Sequence, residues 1–375
     1  MKDIRRCTVL MTVTNAFTND PRVRKEADAL SRHGYRIVVC AMDRGKSCCA
    51  TEYIGSVLVK RMSVNAPYGD RLRGLFAIPV FLLFCLLHGL VLRPQVVHVH
   101  DFDTAAVGVV MKLLLKTTLV YDAHDHYPSM IRPMLPSPMC YLINLLDRAF
   151  AATADCLVVP SAHRARLYSA RRIMNVPNLP SRREAPSFMP RRSSVFTIYY
   201  GGGLAIETAT LKLMHLASTM TNIRVVLAGD GRLRSYVERV SHSNPRLVYL
   251  GHVSRAMSLS ALCAADVTVV MYEPCTLNNL FPASNKLFEA MMLGIPIITN
   301  AENSMAEIVK TEKCGVLIPY YDDAALDEAV RKLRSSERLR KALGSNGRKA
   351  SSRYSWESFE PDFVSRYDGL VDERL

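Results

Sequence analysis

Apolar residues follow two alternating patterns along the 375-residue chain. Short aliphatic and β-branched runs at 9–14, 35–41, 96–100, 118–121 and 156–160 predict buried strands in the first half. Between them apolar positions recur at three-four spacing, as Val23, Ala27 and Leu30 do before Gly34, and predict amphipathic helices. The second half restarts the alternation, with strands at 196–200, 223–228, 248–250, 267–271 and 295–299. Strand–helix–strand order means parallel βαβ units. Residues 176–194 carry no period and are rich in proline, arginine and serine, the composition of a linker. The pattern therefore predicts an α/β fold of two domains, 1–180 and 181–352, with a cleft between their sheets. A tail, 353–375, is aromatic-periodic (Trp356, Phe359, Phe363, Tyr367) and is expected to return to the first domain, bent or restarted at Pro361.

Several stretches place chemistry on these elements. Pro21 suits the first helical position behind Asn19 or Asp20 as cap, so the loop 15–22 lies at the carboxyl edge of the sheet, where ligands bind. No GxGxxG fingerprint occurs there. Polar clusters end two further strands: His98, His100, Asp101 and Asp103, then Asp122, His124, Asp125 and His126. Either is compatible with solvated strand ends or with a metal site. The late stretch SNKLFEAMMLGIPIIT opens polar and continues as a helix with Leu287, Phe288, Met291 and Met292 on one face and Gly294 as its left-handed stop. Ser284 and Asn285 sit at cap positions, so free N–H groups there make a phosphate site. Lys286 adds a charge that opposes the helix dipole unless an anion is near, and Glu289 can accept two ribose hydroxyls.

Composition sharpens this picture. The formal net charge is +14, so an acidic partner is expected: phosphate-bearing substrates or anionic lipid. Nucleic acid is not expected, for want of finger spacing or an aromatic RNA-binding signature. The ten cysteines lack metal or disulfide spacing and indicate a reducing compartment. No secretory signal is evident, so a cytoplasmic protein is expected. The apolar segment 74–92 is near the length of a bilayer span and is flanked by Arg71, Arg73 and Arg93. A membrane span, an in-plane helix and a core helix are open. A helix packed on the sheet, its basic flanks on lipid headgroups at the inner face of the membrane, best allows strand 96–100 to return beside the first strand.

The strings TNDPRVRKEADAL, VVHVHDFDTA, LVYDAHDHYP, VPNLP, LAGDGRLR, SNKLFEAMMLGIPII and the closing YSW, in this order, resemble the family-4 retaining glycosyltransferases. The resemblance implies a GT-B fold, two Rossmann-like domains facing across a cleft. It also implies a nucleotide-sugar donor, UDP- or GDP-linked, in the second domain, an acceptor in the first, retention at the anomeric carbon, and no catalytic metal or other cofactor. It casts His124 and Asp20 as catalytic, and Arg22, Asp101 and Asp125 on the acceptor side. Gly202, Gly203, Gly229, Asp230, Gly231, Ser284, Asn285, Lys286, Leu287 and Glu289 would hold the donor. The chain departs from the pattern at Phe281, where the first of two paired glutamates is usual, and at Gly202 and Thr208, where the phosphate-clamping arginine and lysine fall. Glu207 adds a negative charge in that loop. Two readings follow: a glycosyltransferase making a glycan or lipid-linked product, with Lys286 and backbone amides as clamp, or a weakened GT-B scaffold subunit. A sugar-nucleotide 2-epimerase is a third possibility on the same fold.

Overall fold

The computed structural model describes residues 7–18, 20–66, 71–132, 134–186 and 194–372. They form two compact units, one of residues up to Asn178 together with Glu360 onward, the other Leu179–Phe359.

In the first unit the strands are β1 (Thr8–Val13), β2 (Arg36–Asp43), β3 (Thr51–Ile54), β4 (Val57–Ser63), β5 (Val96–His100), β6 (Thr118–Asp122), β7 (Cys156–Val159) and β8 (Ile173–Asn175). They lie in the order β3-β4-β2-β1-β5-β6-β7-β8, parallel except for β3, which pairs antiparallel with β4. β5 does return beside β1, with Val9 opposite Val96. Helices α1 (Pro21–Arg32), α2 (Arg71–Leu92), α3 (Phe102–Leu115), α4 (Tyr127–Ile131) and α5 (Ser137–Thr153) accompany the sheet. The hairpin β3–β4 escaped the periodicity because the edge strand β3 has no buried residue and its neighbour β4 is buried only at alternate positions. The basic helix expected over 163–172 is one turn, Ala162–Ala165, because the segment feeds the short strand β8 instead.

α2 packs through positions four apart. Ala77, Phe81 and Cys85 are buried, and a Cβ on Gly89 would stand 2.6 Å from Met111 Sδ of α3. The opposite face is exposed. Among the described residues no helix is long and apolar enough to cross a membrane.

The second unit has β9 (Phe196–Gly201), β10 (Ile223–Ala228), β11 (Leu247–Tyr249), β12 (Val267–Val270), β13 (Ile297–Asn300) and β14 (Gly315–Ile318), all parallel in the order β11-β10-β9-β12-β13-β14. β13 begins at Ile297 rather than Ile295, since Pro296 has no N–H to give the ladder. The last helix, Trp356–Asp372, runs on through Pro361 as one element, so it does not restart there. Its second half belongs to the first unit, where Tyr367 packs edge-on against Tyr35 and Asp368 accepts from Tyr35 Oη at 2.6 Å.

Candidate active site

At the carboxyl ends of β1, β5 and β6, side chains from four segments of the first unit converge. Asp20 caps α1, accepting from Val23 N at 3.1 Å, and its other oxygen accepts from Asn15 Nδ2 at 2.9 Å. Both oxygens thus shape the loop at the site's edge. Asn19, the alternative cap, lies outside the described residues. Arg22 is buried and bidentate to Asp122, Nε–Oδ2 at 3.1 Å and Nη2–Oδ1 at 2.8 Å, while Nη1 donates to Val176 O at 2.6 Å and Asn178 Oδ1 at 2.8 Å. Arg22, expected on the acceptor side, anchors Asp122 and the chain at the unit's edge through these bonds.

Asp122 in turn holds His124. Its Oδ2 lies 3.1 Å from His124 Nε2, while Asp101 Oδ2 stands 3.5 Å from Nδ1 and Asp101 Oδ1 accepts from the His124 backbone N–H at 3.2 Å. Burial pushes the His124 imidazolium down, but Asp101 and Asp122 outweigh it and raise the pKa to about 10. His124 is therefore a cation at neutral pH, with no lone pair to act as a base. Burial raises Asp101 to about 6, and works on Asp122 in the same direction, but Arg22 and His124 hold Asp122 well below the carboxylate range. Asp101 has φ +62° and ψ 164°, costly for a residue with a Cβ, and is held there by its N–H on Asp122 O at 2.8 Å. Asp125 points outward and pairs with Arg164 at 3.3 Å.

Glu26, His98, His100 and Asp122 each bring a ligand atom within 4.8 Å of the others, a donor set of the zinc type. Arg22 Nε already stands 3.3 Å from Glu26 and balances Asp122. Burial lifts Glu26 well above the carboxylate range and drops His98 well below its usual value, so both are neutral. The carboxylate that a dication would neutralise already has its cation.

In the second unit the glycines expected at the donor site bring two loops together backbone to backbone. Gly202 N donates to Ala228 O and Leu204 N to Asp230 O, both at 2.8 Å. A Cβ on Gly229 would lie 1.9 Å from Gly202 O, and one on Gly231 2.4 Å from Leu204 O, so neither position tolerates a side chain. Gly203 is open, and Asp230 is exposed beside Arg234 at 3.4 Å. A Cβ on Gly202 would meet Lys286 Cε at 2.4 Å and Nζ at 2.5 Å. The ammonium of Lys286 thus occupies the space where a side chain at 202 would begin.

Lys286 opens the helix Lys286–Leu293 behind Asn285, whose side chain makes no capping bond. Its Nζ donates to Tyr272 Oη at 3.2 Å and lies 5.7 Å from the ring centres of both Tyr200 and Tyr272. Burial disfavours the charge, but the phenol oxygens and Glu289 outweigh it and keep Lys286 above the usual lysine range. Ser284 Oγ accepts from Tyr272 Oη at 3.1 Å and from Lys286 N at 3.3 Å. Leu287 is buried in the core, which leaves it only backbone for a ligand. Glu289, also buried, is bonded through Oε1 to Arg255 Nη1 at 2.7 Å. Tyr200, Tyr272 and Arg255 did not stand out in the sequence. Tyr200 and Tyr272 lie at strand ends and Arg255 follows a serine cap, Ser254, and position at a strand or helix end is the one signal that marks them.

Residues 20–180 match the glycosyl transferase 4-like domain, and residues 204–336 match the glycosyl transferases group 1 family. The fold is GT-B. A sucrose-phosphate synthase from Thermosynechococcus elongatus superposes with a TM-score of 0.82 over 98% of this chain and 100% of its own at 17% identity. Anabaena HepE in complex with UDP-glucose superposes at 0.71 over 96% and 99% at 13% identity. The chain belongs to the group 1, family-4-like glycosyltransferases. Sulfoquinovosyl transferase SQD2 of Arabidopsis thaliana is 22% identical over 368 residues, 92% of this chain and 68% of that protein. With other curated relatives the match spans less than half of their length.

Proposed function

We propose that the chain is a retaining, metal-independent glycosyltransferase. It moves a sugar from a nucleoside-diphosphate donor to a glycan or lipid-linked acceptor at the surface of an anionic membrane. The observation that carries this reading is Lys286, whose ammonium stands in the space of the missing side chain at Gly202, at the start of a helix whose fourth residue is Glu289. In it, the diphosphate rests on Lys286 and the amides of Gly203, Ser284 and Asn285, and Glu289 takes the ribose hydroxyls. The bond from the anomeric carbon to the diphosphate oxygen breaks, and the acceptor oxygen bonds the same carbon on the same face. The acceptor proton passes to the departing diphosphate, because His124 is already protonated. His124 contributes its charge, not a base, its ring nitrogens facing Asp122 and Asp101.

The membrane part of the reading rests on three neighbouring helices. α2 leaves Phe76, Val80, Leu83 and Leu87 exposed, and α3 and α5 add Leu113 and Leu142. That is more apolar surface than isolated exposed residues explain. The scaffold alternative draws on the other departure from the family pattern: Glu207, in the clamp loop, is bonded by Arg232 at 2.6 Å.

Incubation with a panel of nucleotide sugars, read by thermal shift and by release of nucleoside diphosphate, separates these. Stabilisation with slow release supports the transferase; neither stabilisation nor release with any donor supports the scaffold.

A further inference from the structure

We infer that Arg255 is the positioning residue of the donor site, fixing the carboxylate of Glu289 for the ribose; this rests on the donor role of Glu289 proposed above. Arg255 is the first residue of the helix Arg255–Ala264, and the cap at Ser254, accepting from Met257 N at 3.3 Å, sets where its side chain begins. Its guanidinium spans two carboxylates. Nη1 donates to Glu289 Oε1 at 2.7 Å; Nε and Nη2 donate to Glu184 Oε2 at 3.1 Å and 2.5 Å. Glu289 itself is buried, with 9% of its side chain exposed, so an ionised carboxylate there needs a partner cation. Arg255 supplies it on one oxygen, and Oε2 is left for ribose hydroxyls.

Glu184 fixes Arg255 from the far side. It ends the single turn Arg182–Glu184, which is itself tied down: Glu357 accepts from Ser181 Oγ and from Arg182 N. Arg255 acts only through Glu289, since both arms of its guanidinium are taken. One rigid planar guanidinium, anchored on Glu184, holds one oxygen of Glu289 still, which a flexible lysine ammonium at the same position would do less well.

Calorimetry with UDP and with GDP on four variants tests this, with circular dichroism to confirm folding. Glu289→Gln and Arg255→Gln are each expected to weaken nucleotide binding about tenfold. The double variant should be no weaker than Glu289→Gln alone, Arg255→Lys should recover part of the loss, and KM should rise with kcat nearly unchanged. Losses that add in the double variant, or an Arg255→Gln protein that folds and binds as the wild type does, overturn the inference while leaving the donor role of Glu289 intact. A Glu289→Gln protein that binds as the wild type does overturns both.

Discussion

Gly202 stands where the family resemblance puts the clamping arginine, and in the proposed donor site Lys286 takes over that charge. Gly202 has φ +153°, and its missing Cβ is the space that Lys286 fills. Gly202→Ala is expected to strain the backbone, since a residue with a Cβ rarely adopts φ +153°, and to displace the ammonium, so that diphosphate binding weakens while nucleoside binding is spared. Calorimetry with each ligand checks it. His124 carries a second prediction. Its pKa is raised from 6.5 to about 10, so its contribution to stability is complete below pH 6.5 and is lost as pH rises through 10. At pH 7 His124→Gln should cost roughly 1.5–3 kcal/mol, the worth of hydrogen bonds to a charged group. Thermal unfolding should show the gap between variant and wild type closing towards pH 10. The sequence marked His124, Lys286 and Glu289 as chemistry-bearing by their places at strand ends and a helix start. It did not show that Arg22 turns inward, because its partner Asp122 lies 100 residues on and no local pattern carries that contact.

At the scale of elements, α2 was legible as a long apolar helix but not as one with a buried and an exposed face, since nearly every position is apolar. The four-residue ladder Ala77, Phe81, Cys85 and Gly89 decides which face meets α3. Leu83 and Leu87 lie off that ladder and are more than half exposed. Leu83→Asp with Leu87→Asp should leave the melting temperature within about 2 °C, as exposed substitutions usually do. Flotation with anionic vesicles at low salt should fall about tenfold, the cost of taking two charges to an apolar boundary. Equal flotation of variant and wild type would contradict a role for this face. Strands were legible where buried on both sides. The β3–β4 hairpin and β14 were not, β3 and β14 being four-residue edge strands and β4 being buried at alternate positions only.

On the scale of the whole molecule, two sheets separated by an irregular segment followed from alternation alone. The continuity of the last helix did not, because Pro361 has the look of a break. Its single lost N–H is tolerated where the helix buries Phe363 and Tyr367 completely. Removing residues 360–375 should therefore destabilise the first unit severely, with loss of soluble protein or of the cooperative transition. Asp368→Ala, which removes the bond from Tyr35, should cost about 1 kcal/mol.

The central claim is that Lys286 is the diphosphate clamp and Glu289 the ribose acceptor. Titration calorimetry of a nucleoside and its diphosphate against the wild type, Lys286→Ala and Glu289→Gln tests it most directly. Lys286→Ala should lose about 2 kcal/mol for the diphosphate and almost nothing for the nucleoside, while Glu289→Gln should weaken both. A Lys286→Ala protein that binds the diphosphate as tightly as the wild type, or a wild type that binds neither ligand, would contradict the account.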